Sequence, residues 1–357
     1  MENGQAQSRQ DQFALDPRTA RLLARAERRL GELDLLGRIW PLWPGFAQGP
    51  LLARAAILEA QYLGRKAELT PLLSLGPNPE PTRPNKDLRW AAGLLLTLRR
   101  LEEIPSASPL TPSLVTELFH NLDAPKLARS LPAKRAANLD SSPAGPVAGA
   151  AAWTLAPRWV EAGITPLMAA GLACAAWERE GPDHPHRGPA GRIFLMGVAP
   201  RLGLPAHGLA GLGQALKAAA GDQPGGLEAV LAEVRRGGSW RRWLGVFLRA
   251  VETSAAGTAE VSVKALDLVR EHMSLIGAWV RAPRHPLRLL ELMVSRPVVE
   301  LPEVAEALEV TQRTAGLLAN KLKELGLVAE VTGQRRGRRF AYEGLVATLI
   351  PPDAISI

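Results

Sequence analysis

Between Thr165-Pro166 and Gly181-Pro182 the sequence PLMAAGLACAAWERE stays apolar through almost four helical turns. A helix with no polar face to offer water must be enclosed by other helices, so this segment makes the rest of the body a shell around it. Thr165 suits the N-cap, Pro166 suits the first turn, and the breakers Gly181-Pro182 stop the helix. The spacing predicts a helical bundle with 165–180 among its most buried segments.

The neighbouring segments have the periodicity such a shell needs. Leu15 to Leu36 places Leu15, Leu22, Leu23, Ala26, Leu30 and Leu33 on one face behind an Asp16-Pro17 start. Leu51 to Leu63 reads as a second helix, Pro71 to Pro84 as a loop, Asp87 to Leu101 as a third helix, and Thr111 to about Leu122 as a fourth. Residues 123–150 lose periodicity and read as an irregular crossing. Gly191 is expected to begin the helix after the buried one, with further helices near 207–219 and 226–236, another from Ser239, and a separate long one from about Thr258 to Arg281. No period-two alternation precedes residue 298, so the fold class is mainly α.

The C-terminal region changes character. A β-prone Val298-Val299 leads to a helix from Pro302 to Leu308, a turn at Glu309-Val310 and a helix from Gln312 to Leu325. Thr311 is a fitting N-cap, Ala315, Leu318, Leu322 and Leu325 form an apolar stripe, and Gly326 suits the position past the helix end. LVAEV and RRFAY flank TGQRRG as a hairpin with a basic tip, completing a winged helix-turn-helix.

At 357 residues, 46% of them apolar, the chain is long enough for two domains: a flexible N-terminus over 1–14, an all-α domain over 15–282 and an α+β winged helix over 284–349. One cysteine permits neither an intramolecular disulfide nor a CxxC metal site, and a polar N-terminus without an apolar stretch of membrane length points to the cytoplasm and to no membrane partner. The formal charge of +8 suits a nucleic-acid partner without establishing one, because arginines and acids alternate over most helices while four arginines cluster at 335–339.

Candidate chemistry concentrates at His184 to Arg192, HPHRGPAGR, where glycines and an arginine at a helix start are able to cradle an anion. Read alone, the stretch is equally a turn of breakers with solvated histidines. Trp177, Trp240 and Trp243 sit at helical spacing among apolar neighbours and read as core, Cys174 reads as a buried inert thiol, and His272 and His285 lack partners at metal-ligand spacing. No metal site is assigned.

The order of segments resembles the Fic family, which transfers AMP from ATP to protein hydroxyls. The resemblance rests on ARAERRLGELDLLGRI, LLARAAILEAQYLG, HPHRGPAGRIFL, RGGSWRRWLGVFLRAV and the winged-helix ending EVTGQRRGRRFAYE. It places His184 at the catalytic base and Arg192 at the first phosphate-binding arginine of the HPFxDGNGRxxR motif, with Gly191 retained. It also implies losses: the metal-binding acid falls on Gly188, the anion-hole glycine and asparagine on Pro189 and Ala190, the second arginine on Leu195 and the motif phenylalanine on His186. Pro189 has no N–H to donate, and contacts of this type are each worth on the order of 10²–10³ in rate. Leu63 stands where the inhibitory glutamate of the [S/T]xxxE[G/N] segment falls, before Gly64.

These residues lead to a degenerate, inactive or weakly active Fic-like body joined to a winged helix that binds duplex DNA as a transcriptional regulator, with a homodimer left open. No cofactor is expected. Thr311, Gln312, Arg313, Gly316, Asn320 and Lys321 are the candidates on the recognition helix, and Arg335, Arg336, Arg338 and Arg339 those on the wing. Two alternatives stand beside this: a residual AMP or nucleotidyl transferase using His184 and Arg192 with ATP and Mg²⁺, and a winged helix that binds protein, which the acids Glu300, Glu303, Glu306 and Glu309 favour.

Overall fold

The computed structural model describes residues 15–75, 85–104, 153, 156–181, 186–221, 223–333 and 337–350. The N-terminal 1–14, the helix expected over 111–122, the crossing at 123–150, and His184, Arg335 and Arg336 lie outside these residues.

Helix α1 (Pro17–Ile39) starts at Asp16, whose carboxylate accepts the backbone N–H groups of Arg18 and Thr19 at 2.9 and 3.0 Å. The hydroxyl and N–H of Thr19 hold that carboxyl below its ordinary pKa. The buried residues Leu23, Ala26, Leu30 and Leu33 lie one or two turns apart, and α1 packs along α10 (Trp240–Trp279). At 40 residues α10 spans roughly 60 Å and is the axis of the body. It runs unbroken through the place where the sequence suggests two helices. Gly257 is the only breaker there, no proline intervenes, and one helical glycine costs only about 1 kcal/mol against the packing of α1 along the whole length.

After α2 (Trp43–Phe46) the chain widens into a π-helical turn, Ala47–Leu51, before α3 (Leu52–Tyr62). Pro50 sits inside that turn and cannot donate the usual N–H, which is a physical reason for the wider winding. Gly64 (φ +71°) ends α3, with the Arg65 N–H donating to the Ala60 carbonyl at 2.9 Å. Residues expected to be loop from Pro71 instead begin within α4 (Leu69–Leu73), whose Leu69 and Leu72 are buried. Then follows α5 (Lys86–Glu103), capped by the Asn85 side chain.

The segment that dictated the fold is α6 (Pro166–Glu180), and ten of its fifteen residues are buried. It crosses α10 at Gly171, where a methyl group would lie 2.8 Å from the Phe247 ring and the Trp243 indole N–H donates to the Gly171 carbonyl at 2.8 Å. Trp177 and Trp243 are core as expected, whereas Trp240 is only half-buried. Next come α7 (Arg187–Val198), α8 (Leu212–Ala219) and α9 (Gly226–Arg235). Helix α7 begins at Arg187, not at Gly191. Pro189 is tolerated in that first turn, where N–H groups lack intrahelical acceptors. Gly191 instead serves the contact with α6: a methyl group there would lie 2.6 Å from Trp177 Cδ1.

Among the described residues no strand precedes Val298. The C-terminal domain runs α11 (Arg284–Ser295), β1 (Val298–Glu300), α12 (Leu301–Leu308), α13 (Gln312–Glu324), β2 (Ala329–Glu330), β3 (Arg339–Ala341) and α14 (Glu343–Leu349). The antiparallel sheet has the order β1-β3-β2, with Val299 opposite Phe340 and Glu330 opposite Phe340. The chain is therefore a mainly α body followed by a winged helix-turn-helix.

Candidate functional site

Helix α13 presents the recognition-type surface. Thr311 caps it through Oγ1, accepting the Thr314 N–H at 3.2 Å. Gly326 (φ +73°) closes it, with the Leu327 N–H donating to the Leu322 carbonyl at 3.0 Å and the Gly326 N–H to the Lys323 carbonyl at 2.9 Å. Ala315, Ala319 and Leu322 are the buried residues, and Leu318 is only half-buried, so the apolar stripe is turned from the one expected. The opposite face carries Gln312, Arg313, Leu317 and Lys321, all exposed, with Leu317 at 64%. Gly316 is half-buried, and a methyl group there would meet Leu301 Cδ1 at 3.8 Å. Lys321 pairs with Glu324 at 3.2 Å, while Arg313 has no ion pair among the described residues.

The two described wing arginines are engaged within the domain. Arg338 pairs with Glu330 at 2.6 Å, lies over the Phe340 ring and reaches Asn320 Oδ1 at 3.4 Å. The Arg338 hydrogen bond holds the Glu330 carboxyl below its ordinary pKa. Arg339 pairs with its cross-strand neighbour Glu300 at 2.7 Å. The acids of α12 have local roles as well: Glu303 accepts the Glu300 N–H at 2.9 Å in a capping box, and Glu309 closes the helix in the left-handed region (φ 57°). Sequence spacing alone does not reveal these pairings, because Glu300 and Arg339 are 39 residues apart and meet only in the sheet register.

The second candidate region is the start of α7. Arg192 is buried and takes a bidentate grip on Glu59 of α3, with Nε donating to Oε2 at 3.0 Å, and its guanidinium lies over the Tyr62 ring at 4.5 Å. Burial opposes the charge on Arg192, but the charge and hydrogen bonds of Glu59, with Tyr62 and Glu178, hold its pKa above the ordinary value. Gly213 of α8 closes over the pair, since a methyl group there would lie 3.1 Å from both Arg192 Nε and Glu59 Oε2. Thus the carboxylate facing Arg192 is Glu59, one turn before Leu63. The sequence signal for it is plain in hindsight: Glu59 is the only acid in LLARAAILEAQYLG.

Around Gly188 the space is closed. The Trp177 indole N–H donates to the Arg187 carbonyl at 2.9 Å, Arg187 donates to the Glu178 carbonyl at 3.2 Å, and Glu178 pairs with Arg235 at 3.0 Å. The cavity lined by Cys174, Trp177, Gly188, Arg192 and Leu216 has about 20 Å³, room for one water. Burial pushes the Cys174 thiol well above its ordinary pKa, so it stays protonated. A nucleotide with its metal ion does not fit these residues: the cavity is too small, position 188 offers no carboxylate, Pro189 offers no N–H and Arg192 is already paired. His272, read as partnerless, lies with Nδ1 2.8 Å from the Tyr342 hydroxyl, joining α10 to the winged helix.

No curated protein matches the chain. Among solved structures, a Fic family protein from Desulfovibrio desulfuricans G20 is similar, at 12% identity and a TM-score of 0.46, over 92% of this chain and 97% of that one. Residues 287–342 match a family model described as an HTH DNA binding domain, so this part of the chain is similar to DNA-binding helix-turn-helix domains in sequence as well as in fold.

Proposed function

We propose that this protein is a DNA-binding transcriptional regulator whose helical body is a degenerate Fic-like domain without efficient AMP transfer. The observation that carries the reading is the outer face of α13, where Gln312, Arg313, Leu317 and Lys321 stand exposed side by side. Arginine and glutamine match the donor and acceptor edges of guanine and adenine in the major groove, and an exposed leucine suits a thymine methyl group. Thr311 and Asn320 flank that face, Arg335 and Arg336 lie in the wing loop, and Arg338 and Arg339 brace the strands beneath it.

For the body, the pairing of Arg192 with Glu59 and the water-sized cavity beside Gly188 support a role other than nucleotidyl transfer. Incubation with ATP labelled at the α-phosphate is expected to leave the protein and a lysate nearly unlabelled. Strong labelling that disappears in His184→Ala would favour the transferase.

Selection of bound duplexes from a random-sequence pool by the full chain tests the DNA reading. Enrichment of a motif of a few base pairs is expected. A pool unchanged after repeated rounds would transfer the winged helix to a protein partner.

A further inference from the structure

The winged helix is seated on the body. Gly49 approaches Ser295 so closely that a methyl group there would lie 2.1 Å from the Ser295 carbonyl oxygen. Beside this contact opens a cleft of about 600 Å³, walled by α4 and α5 of the body and by the Ser295–Val298 stretch and Glu303 of the winged helix. That is the size of a small-molecule site.

Its charges are unbalanced. Arg99, half-buried, and Arg296, exposed, both line the cleft, and neither has an ion pair among the described residues. Burial lowers the pKa of Arg99, and the charge of Arg296 lowers it further. The acids nearby do not offset them. Glu103 is paired with Arg100 at 3.5 Å, Glu303 accepts the Glu300 N–H, and burial raises the Glu102 carboxyl to about 7, so that it is largely neutral below that pH. Leu72 and Leu95 provide an apolar wall within the same cleft.

Two neighbouring guanidinium groups without a counter-charge, beside an apolar wall, are complementary to one ligand chemistry. We propose that this cleft binds a small amphipathic organic anion, its carboxylate or phosphate held between Arg99 and Arg296 and its apolar body against Leu72 and Leu95. Such a ligand touches body and winged helix at once.

Calorimetric titration of the full chain with octanoate and with octyl phosphate tests this, with acetate and octylamine as controls. Saturable one-to-one binding of at least one of the two amphipathic anions is expected, and the preferred one identifies the headgroup. Acetate, lacking the apolar body, and octylamine, carrying the wrong charge, are expected to bind at least tenfold more weakly. Arg296→Ala, an exposed substitution that leaves the core untouched, is expected to weaken binding about tenfold, as loss of one charged hydrogen-bonding partner does. Failure of both anions to saturate, undiminished binding in Arg296→Ala, or equal binding of octylamine would each overturn the proposal.

Discussion

Glu59 and Arg192, 133 residues apart, form a sealed ion pair in the body, with Arg192 Nε 3.0 Å from Glu59 Oε2 and side-chain exposures of only 9% and 11%. Removing one partner strands a buried charge, whereas removing both leaves apolar packing. Glu59→Leu is expected to cost about 3–5 kcal/mol. The Glu59→Leu/Arg192→Met double variant is expected to cost much less. Urea unfolding of the three proteins checks this, and a double variant as unstable as the sum of its singles would contradict it.

Gly49 and Gly257 are both helical glycines, and alanine at the two sites is expected to act with opposite sign. At Gly257 no atom lies within 4 Å of an added methyl group, so Gly257→Ala is expected to stabilise α10 by up to about 1 kcal/mol. At Gly49 the same methyl group meets the Ser295 carbonyl, and overpacking is expected to cost about 1–3 kcal/mol. Thermal unfolding of the two variants gives the signs directly.

His207 lies 3.7 Å from Glu102 and edge-on to Trp43, and their titrations oppose each other. Burial lowers the His207 pKa from the ordinary 6.5 to about 4, so as pH falls from 6.5 to 4 the unfolded chain takes up a proton that the folded chain refuses. That lowers stability by up to about 3 kcal/mol. Glu102, facing Arg99 and raised from 4.5 to about 7, does the reverse: stability is lost as pH rises from 4.5 to 7. The two slopes offset each other in the native protein. In His207→Leu only the Glu102 slope remains, so denaturation midpoints at pH 5, 6 and 7 are expected to fall more steeply with rising pH than in the native chain. Parallel trends would contradict it.

Much of the architecture was legible from periodicity. The buried α6, the Asp16 start of α1 and the Thr311 and Gly326 boundaries of α13 follow from patterns within one element, where spacing and capping chemistry act locally. The continuity of α10 was not legible, because packing against α1 outweighs the single weak point at Gly257. Nor were the partners of charged groups. Arg338 and Arg339 read as free wing cations until the sheet register brought Glu330 and Glu300 beside them, and Leu63 drew attention from Glu59 because which residue of α3 faces Arg192 depends on how α3 packs against α7.

For the wing, Arg338→Ala is expected to weaken DNA binding mainly by leaving Glu330 uncompensated beside α13. Adding Glu330→Ala is therefore expected to recover part of the lost affinity, measured by anisotropy on one duplex. Further loss in the double variant would mean that Arg338 itself holds the phosphate backbone.

DNA reading by α13 is tested most directly by anisotropy titration of the full chain and of Arg313→Ala against a duplex from the selected pool and a scrambled one, at two salt concentrations. The native chain is expected to bind both duplexes with affinity that falls as salt rises, and to prefer the selected sequence. Arg313→Ala is expected to lose about 1–3 kcal/mol of that preference while keeping most of its binding to the scrambled duplex. Absence of salt-dependent duplex binding by the native chain, or an undiminished preference in Arg313→Ala, would contradict the account.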